Sequence, residues 1–387
     1  MRHAHEFSSP RLRRGELSLG EKFWQISWSL VLLVTLTGCV GLVMLYSAAG
    51  GDWEPWADRQ AVRLMIGFVL MVGIAVVDIR FWIRNAYTFY AVVLVLLVAV
   101  EIRGTIGMGA QRWIDLGFFQ LQPSEVMKLA LVLSLARYYH SAHPDDVRRL
   151  PFLIPPALMT LVPFALVLKQ PDLGTGLMLV AGAAAVSWLA GVRIWVFALA
   201  GIAGLGAIPV AWQFLHDYQK QRVLTFLNPE SDPLGSGYHI LQSKIALGSG
   251  GVFGKGYMNG TQAHLNFLPE KQTDFIFTML AEEFGMVGGL ILLSLYVILL
   301  IYGFAIALRC RHQFGRLVAL GVSTMFFLYV FINIAMVMGL IPVVGVPLPL
   351  ISYGGTALLN LMMGFGLLLC VFVHRDVQMG RRGGFDD

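Results

Sequence analysis

The sequence predicts an all-α, polytopic membrane protein with about ten transmembrane helices and a large extracytoplasmic loop between the seventh and eighth. Three observations carry this expectation. Of 387 residues, 57 % are hydrophobic and only 13 % are charged, whereas a soluble domain carries about a quarter charged residues. Mean hydropathy is +0.70. Apolar runs long enough to cross a bilayer recur along the chain, and a helix satisfies its own main chain inside lipid. The net charge of +5 does not point to nucleic acid, because no dense basic cluster lies away from the membrane flanks. Cys39, Cys310 and Cys370 sit in or beside apolar runs, without the spacing of a disulfide framework or a zinc site.

The first run, 28–46, follows a basic segment and precedes "YSAAG", a loose likeness to a signal peptide. It is longer than a signal h-region and long enough to span, so it reads as a retained helix. Further helices fall near 61–77, 82–100, 124–139, 152–168, 173–190, 194–212, 275–308, 317–340 and 355–373. No internal repeat divides the chain. The expected partition is a cytoplasmic tail over 1–27, one integral domain over 28–374 with its outer loop at 213–273, and a cytoplasmic tail over 375–387. Lys and Arg set the orientation. With the N-terminus inside, the inner segments hold seventeen of them and the short outer loops four: Arg59, Arg103, Arg112 and Lys169.

This orientation puts every long polar stretch on the outer face. "RGTIGMGAQRWIDLGFFQLQPSE", "KQPDLGT", the 213–273 loop and "PVVGVPLPLISYGGT" each join an odd-numbered helix to an even one. The even-numbered helices four, six, eight and ten then begin outside, at Pro123-Ser124, Pro171-Asp172, Thr273-Asp274 and Gly354-Gly355-Thr356. Helix N-termini favour phosphate, and Arg112, Lys128, Lys169, Lys244, Lys255 and Lys271 lie on or near the same face. Capping alone would also account for any single one of these starts.

The eighth run is too long for one crossing. Residues 275–308 would extend about 51 Å, against a hydrocarbon core of about 30 Å. Phe284–Leu308 suffices to span, so Asp274 projects toward the outer loops and stands about 12 Å above Glu282. Asp274 shares a helical face with Thr278 beside Phe275 and Phe277, a semi-dry wall that would raise a carboxylate toward general-base range. Two plainer readings stand beside this one: Asp274 as a helix-start residue, and Glu282–Glu283 as a solvated pair. Glu125 and Lys128, three apart, read equally as an internal ion pair. Asp172 suits a first helical turn, and Arg112-Trp113 an interfacial belt. Eight glycines between Gly235 and Gly260 suggest a mobile loop with tight turns. "SGGVFGKGY" fails as a phosphate loop, because Gly256 stands where Ser or Thr is required. No Ser-His-Asp order, HExxH or Cys/His metal set appears.

Together, "RWIDLG" with "QPSEVMKLA", "KQPDLGTG", "RVLTFLNPESDPLGSGYHILQSKIALGSGG", "GTQAHLNFLPEKQTDFIF" and "PLPLISYGGTALL" resemble the SEDS family (shape, elongation, division and sporulation). The match runs from about Trp24 to His374, and it is closer to the rod-shape elongation branch than to the division branch. The resemblance implies a ten-helix peptidoglycan glycosyltransferase of the bacterial inner (plasma) membrane, acting extracytoplasmically on lipid II and lipid-linked glycan. It also implies a partner among class B penicillin-binding proteins (transpeptidases) within the elongation machinery. The family's proposed catalytic aspartate falls on Asp274, and its other polar positions fall on Arg112, Trp113, Glu125, Lys128 and Asp172. Lys244 and Lys271 join the candidates for the diphosphate. Gln272 departs from the family's frequent histidine, which leaves Asp274 the better base. This reading assigns no definite cofactor and leaves open a divalent cation (Mg2+ or Mn2+) bridged to the diphosphate. The rival readings are a lipid II flippase, whose polar path would continue to the inner half, and a non-catalytic scaffold for a transpeptidase.

Overall fold

A computed structural model describes residues 18–380, apart from 108–109, 116, 118–119, 144, 215–216, 229–235, 266, 269 and 378. The start of the expected N-terminal tail, the stretch "PESDPLG" and Arg381–Arg382 lie outside the described residues. Fourteen helices follow in order among those described: α1 (Leu19–Trp24), α2 (Trp28–Ala48), α3 (Ala57–Val76), α4 (Ile79–Arg103), α5 (Pro123–His140), α6 (Ile154–Lys169), α7 (Leu173–Leu189), α8 (Ile194–Phe214), α9 (Asp217–Leu227), α10 (Ser236–Ser249), α11 (Thr261–His264), α12 (Ile276–Arg309), α13 (Gln313–Val337) and α14 (Gly355–Val373). Each of the ten predicted apolar runs is a helix. Seven of the described helical segments are long and apolar enough to cross a membrane, and two shorter apolar helices, Leu173–Leu189 and Ile194–Val210, accompany them.

The chain is a helical membrane protein. Its surface shows the same thing: α8 leaves Leu199, Ile202 and Leu205 more than half exposed, and α3 does so with Met65 and Val69. A continuous apolar surface of that kind is stable against lipid and not against water. Inside, α5 is buried on nearly every face, and α13 and α14 pack around it in one hydrophobic core that reaches from Ile26 to Val373.

Two predicted loops are more ordered than the sequence suggests. Between α4 and α5, β1 (Thr105–Gly107), β2 (Ala110–Asp115) and β3 (Gln120–Leu121) form a small antiparallel sheet. The expected mobile loop at 213–273 contains α9, α10 and α11; among its described glycines Gly237 opens α10, Gly248 lies in its last turn, and Gly250, Gly251, Gly254, Gly256 and Gly260 lie in the turns after it. Burial explains α10: Ile240 and Ala246 are buried, and the Ser243 hydroxyl sits 2.9 Å from Thr278 Oγ1 while donating to the Val337 carbonyl at 2.8 Å.

The long eighth run is not one straight helix. Gly285, at φ 66 and ψ −162, interrupts α12. The main-chain groups freed there pair with the turns after α10: Met286 N–H with Gly251 O (3.0 Å), Val287 N–H with Val252 O (3.1 Å), and the carbonyls of Glu282 and Glu283 with Lys255 N–H and Gly256 N–H (both 3.0 Å). The short N-terminal limb, 276–284, is thereby aimed independently of the spanning limb. The expected solvated pair Glu282–Glu283 is wholly buried instead, because those turns wrap it.

At the other end of α12, Arg311 N–H donates to the Arg375 carbonyl (3.1 Å). His312 caps α13 by accepting from Gly315 N–H (2.9 Å). Burial pushes His312 down to about 4 and lowers the neighbouring His374 as well.

Two outcomes follow for stability. Gly254→Ala should lower the melting temperature in detergent, since φ is +81 there and a Cβ would collide with the Glu283 carbonyl; the strain alone costs about 1–3 kcal/mol. The second outcome concerns pH. His312 has a folded pKa below its unfolded value, so its contribution is complete above about pH 6.5 and is lost as pH falls toward 4. The melting temperature should decline over that window, and His312→Asn, which keeps a capping acceptor, should flatten part of the decline.

Candidate active site

Asp274 lies in a tight turn, two residues before α12 begins, and not within the helix as its pairing with Thr278 required. The turn is closed by Thr273 N–H to Glu270 O (3.0 Å) and by Thr273 Oγ1 to Glu270 Oε2 (2.9 Å). Three successive carbonyls, those of Gln272, Thr273 and Asp274, are each bonded. They accept from Tyr353 N–H (2.8 Å), Ser352 Oγ (2.5 Å) and Asn333 Nδ2 (2.9 Å). The Asp274 carboxylate faces Gly345, where a Cβ would stand 3.5 Å from Oδ2. Asp274 is thus set against the 338–354 connector between α13 and α14.

Gly345 follows Val344 in that connector, and Val344 helps line a cavity of about 280 Å³. Arg112 and Asp172 are its polar lining, with Leu177, Val223 and Ile332 among the apolar groups. Asp172 is the N-cap of α7, accepting from Thr175 N–H (3.2 Å) and from Gln122 Nε2 (3.1 Å). Arg112, on β2, donates through Nε to Gln170 O (3.0 Å) and through Nη2 to Pro171 O. Trp113, half-buried, is the next residue of β2 and pairs in register with Thr105. Gly174 brings α7 to the connector, because a Cβ there would meet Val344 O at 2.8 Å. Thr356 Oγ1 donates to Gln120 O (2.9 Å), which joins the start of α14 to the strand before α5. The N-termini of α5, α7, α12 and α14 therefore meet at one end of the bundle.

Glu125 and Lys128 form a buried unit with Tyr329. Lys128 Nζ lies 2.6 Å from Glu125 Oε1 and donates to the Tyr329 hydroxyl, which donates to Glu125 Oε2. Tyr329 is one turn from Ile332 on the cavity wall, so the unit adjoins the cavity from within the bundle. The remaining cations are spread more widely. Lys169 pairs with Glu101 (3.4 Å). Lys244 crosses Gly339, where a Cβ would meet Nζ at 2.9 Å. Lys271 is half-buried, and that burial lowers its pKa.

At this end the sequence reading missed Arg63 altogether and missed the roles of Glu282 and Glu283. Glu282 accepts from Lys255 Nζ (2.7 Å), Thr261 N–H (2.9 Å) and Gln262 N–H (3.1 Å), so it ties the turns after α10 to α12. Glu283 accepts from Ser47 Oγ (2.5 Å). Arg63 stacks over the Tyr353 ring at 4.7 Å and abuts Gly355 at the start of α14. Among the described residues no three His, Cys, Asp or Glu side chains gather to hold a metal ion.

A fold of this kind, with its polar residues gathered at four helix starts, has known counterparts. The family of FtsW/RodA/SpoVE cell cycle proteins matches residues 27–377, and the chain belongs to it. It is 45 % identical over 350 residues to peptidoglycan glycosyltransferase MrdB of Escherichia coli, across 90 % of this chain and 93 % of that one. It is 38 % identical over 352 residues to a probable peptidoglycan glycosyltransferase FtsW of Trichlorobacter lovleyi, with 88 % and 91 % covered. Among solved structures, the rod shape determining protein RodA of Thermus thermophilus aligns at TM-score 0.70 and 32 % identity, covering 91 % of this chain and 98 % of that one. A chain from a peptidoglycan synthase complex aligns at TM-score 0.79 and 35 % identity, covering 91 % and 99 %. The likeness is greater to MrdB than to that FtsW, as the motifs led us to expect.

The buried unit yields a stability prediction. Lys128→Met alone strands the Glu125 carboxylate and should destabilise the fold by about 3–5 kcal/mol. Adding Glu125→Gln should recover most of the loss, measured by thermal unfolding in detergent.

Proposed function

We propose that this chain is a peptidoglycan glycosyltransferase that polymerises lipid II into β-1,4 glycan strands during cell-wall elongation and shape maintenance. The observation that carries this reading is the Asp274 carboxylate, on a turn whose three carbonyls are bonded, where four helix N-termini meet beside a cavity edged by Arg112 and Asp172. Relatives named as glycosyltransferases over nine-tenths of the chain support the same chemistry. The chain would cross the membrane ten times as one integral domain, 28–374, with both termini cytoplasmic and Asp274 at the extracytoplasmic face.

In the proposed reaction Asp274 is the general base. It takes the proton of the acceptor's GlcNAc 4-hydroxyl as that oxygen attacks C1 of the lipid-linked donor. The bond from C1 to the diphosphate oxygen breaks, and undecaprenyl diphosphate leaves with the electron pair. The α-linkage becomes a β-1,4 bond by a single inversion. A diphosphate departs as an anion, so the second carboxylate that glycosidases need for protonation is not required. The developing charge would be met by Arg112, with Lys271 and Lys244 as further candidates, and by the positive ends of the helices. Lys128 would act through its unit with Glu125 and Tyr329, while Trp113 and Asp172 would shape the substrate's seat. A class B penicillin-binding protein is the proposed partner. The similarity to a chain from a complex that coordinates polymerization and crosslinking supports it.

Reconstitution with lipid II tests the reading. Asp274→Asn should bind lipid II yet form no glycan polymer, a loss on the order of 100-fold or more. Polymerisation by Asp274→Asn at near the wild-type rate would remove the base assignment. Transbilayer movement of lipid II without polymer from the unaltered chain would favour a flippase instead.

A further inference from the structure

We infer that Asn333 and Ser352 are positioning residues for Asp274, acting through its main chain. The inference rests on the proposed reading of Asp274 as the general base. Asn333 is wholly buried within α13, where a polar side chain is costly unless it is used. Both of its amide hydrogens are used on main-chain carbonyls: Asp274 O at 2.9 Å and Val346 O at 2.7 Å. One side chain therefore joins the turn that presents the carboxylate to the connector that faces it. Ser352, also buried, makes a second link of the same kind. Its hydroxyl donates to Thr273 O at 2.5 Å and accepts from Leu348 N–H at 2.8 Å. With Tyr353 N–H on Gln272 O, three consecutive carbonyls are tied to α13 and to the end of one connector.

The geometry distinguishes positioning from general support. Neither side chain touches the carboxylate through these bonds, and both act on the peptide groups immediately at and before it. The carboxylate is two bonds from its own main chain, so a tilt of the 272–274 peptides swings it relative to Gly345 and the cavity beyond. A base must lie within hydrogen-bond reach of the hydroxyl it serves, and a displacement of about 1 Å can cost on the order of 100-fold in rate. Losing either link should therefore lower turnover more than substrate binding, because the cavity lined by Arg112 and Asp172 is held by other bonds.

The test uses the full-length chain reconstituted with lipid II. Asn333→Ala should lower kcat on the order of 100-fold and Ser352→Ala about 10-fold, each with KM for lipid II unchanged. Ser352→Thr, which restores the hydroxyl, should recover most of the kcat lost in Ser352→Ala. Wild-type kcat in both alanine variants would overturn the inference. So would a loss shared between kcat and KM, tracking the melting temperature and not rescued by threonine. Should Asn333→Ala fail to fold, the Ser352 pair decides alone. Asp274→Asn, assayed in parallel, separates the two claims. If it is inactive while the alanine variants turn over normally, only the positioning role fails. If it polymerises normally, the base assignment fails first.

Discussion

Buried main-chain groups must be paired, and the break in α12 makes that constraint govern the whole active end. An unpaired amide or carbonyl in an apolar setting costs several kcal/mol. Gly285 interrupts the helical ladder, and the turns from Gly251 to Gly256 supply the missing partners. Glu282 secures the same turns with hydrogen bonds from Lys255, Thr261 and Gln262. The limb 276–284 is consequently held by the segment after α10, and the turn 272–274 before it by Asn333 of α13 and the connector before α14. Asp274 inherits its position from both. A continuous helix would have tied that carboxylate to the tilt of the spanning limb; the break uncouples the two.

The same break shows what the sequence could and could not reveal. The ten apolar helices were legible because lipid imposes a length and a composition on each: 28–46 is found as Trp28–Ala48, and 173–190 as Leu173–Leu189. The excess length of the eighth run was legible too, but the kink at Gly285 was not, since glycines are common in such helices and only a distant partner makes one of them a break. The strands before α5 were missed because their pairing joins short segments with no alternating pattern. The fate of Glu282 was hidden for a related reason. Its donors lie 20–27 residues upstream, so a buried hub and a solvated surface acid look alike in one dimension. Asn333, in "FINIAM", reads as a tolerated polar residue within an apolar run. Asp274 itself was marked out by family resemblance more than by physics, since its spacing also fitted a plain helix start.

The charges at this end divide into two kinds. Glu125, Lys128 and Tyr329 satisfy one another inside the bundle, so the unit carries little net field and is costly to break. Arg112 is different, because its hydrogen bonds go to the carbonyls of Gln170 and Pro171, which carry no formal charge. Those bonds also fix the turn that sets Asp172 at the start of α7. One side chain thus does two things: it orders the rim of the cavity and keeps a cation there. An anionic group entering the cavity would meet that charge with Asp172 on the same lining.

This division bears on how an inverting transfer could run with one carboxylate acting as base. The base must remain ionised in a partly dry setting, and the leaving group must shed charge into the same space. Here the aspartate's main chain is bonded to neutral groups, Asn333, Ser352 and Tyr353 N–H, while Arg112 stands on the cavity wall beyond Val344. Bonds to its peptide groups fix where the Asp274 turn sits and leave the cation on the cavity wall. On the proposed reading, the two demands of the reaction, a located base and a stabilised anion, are served by separate parts of the same rim.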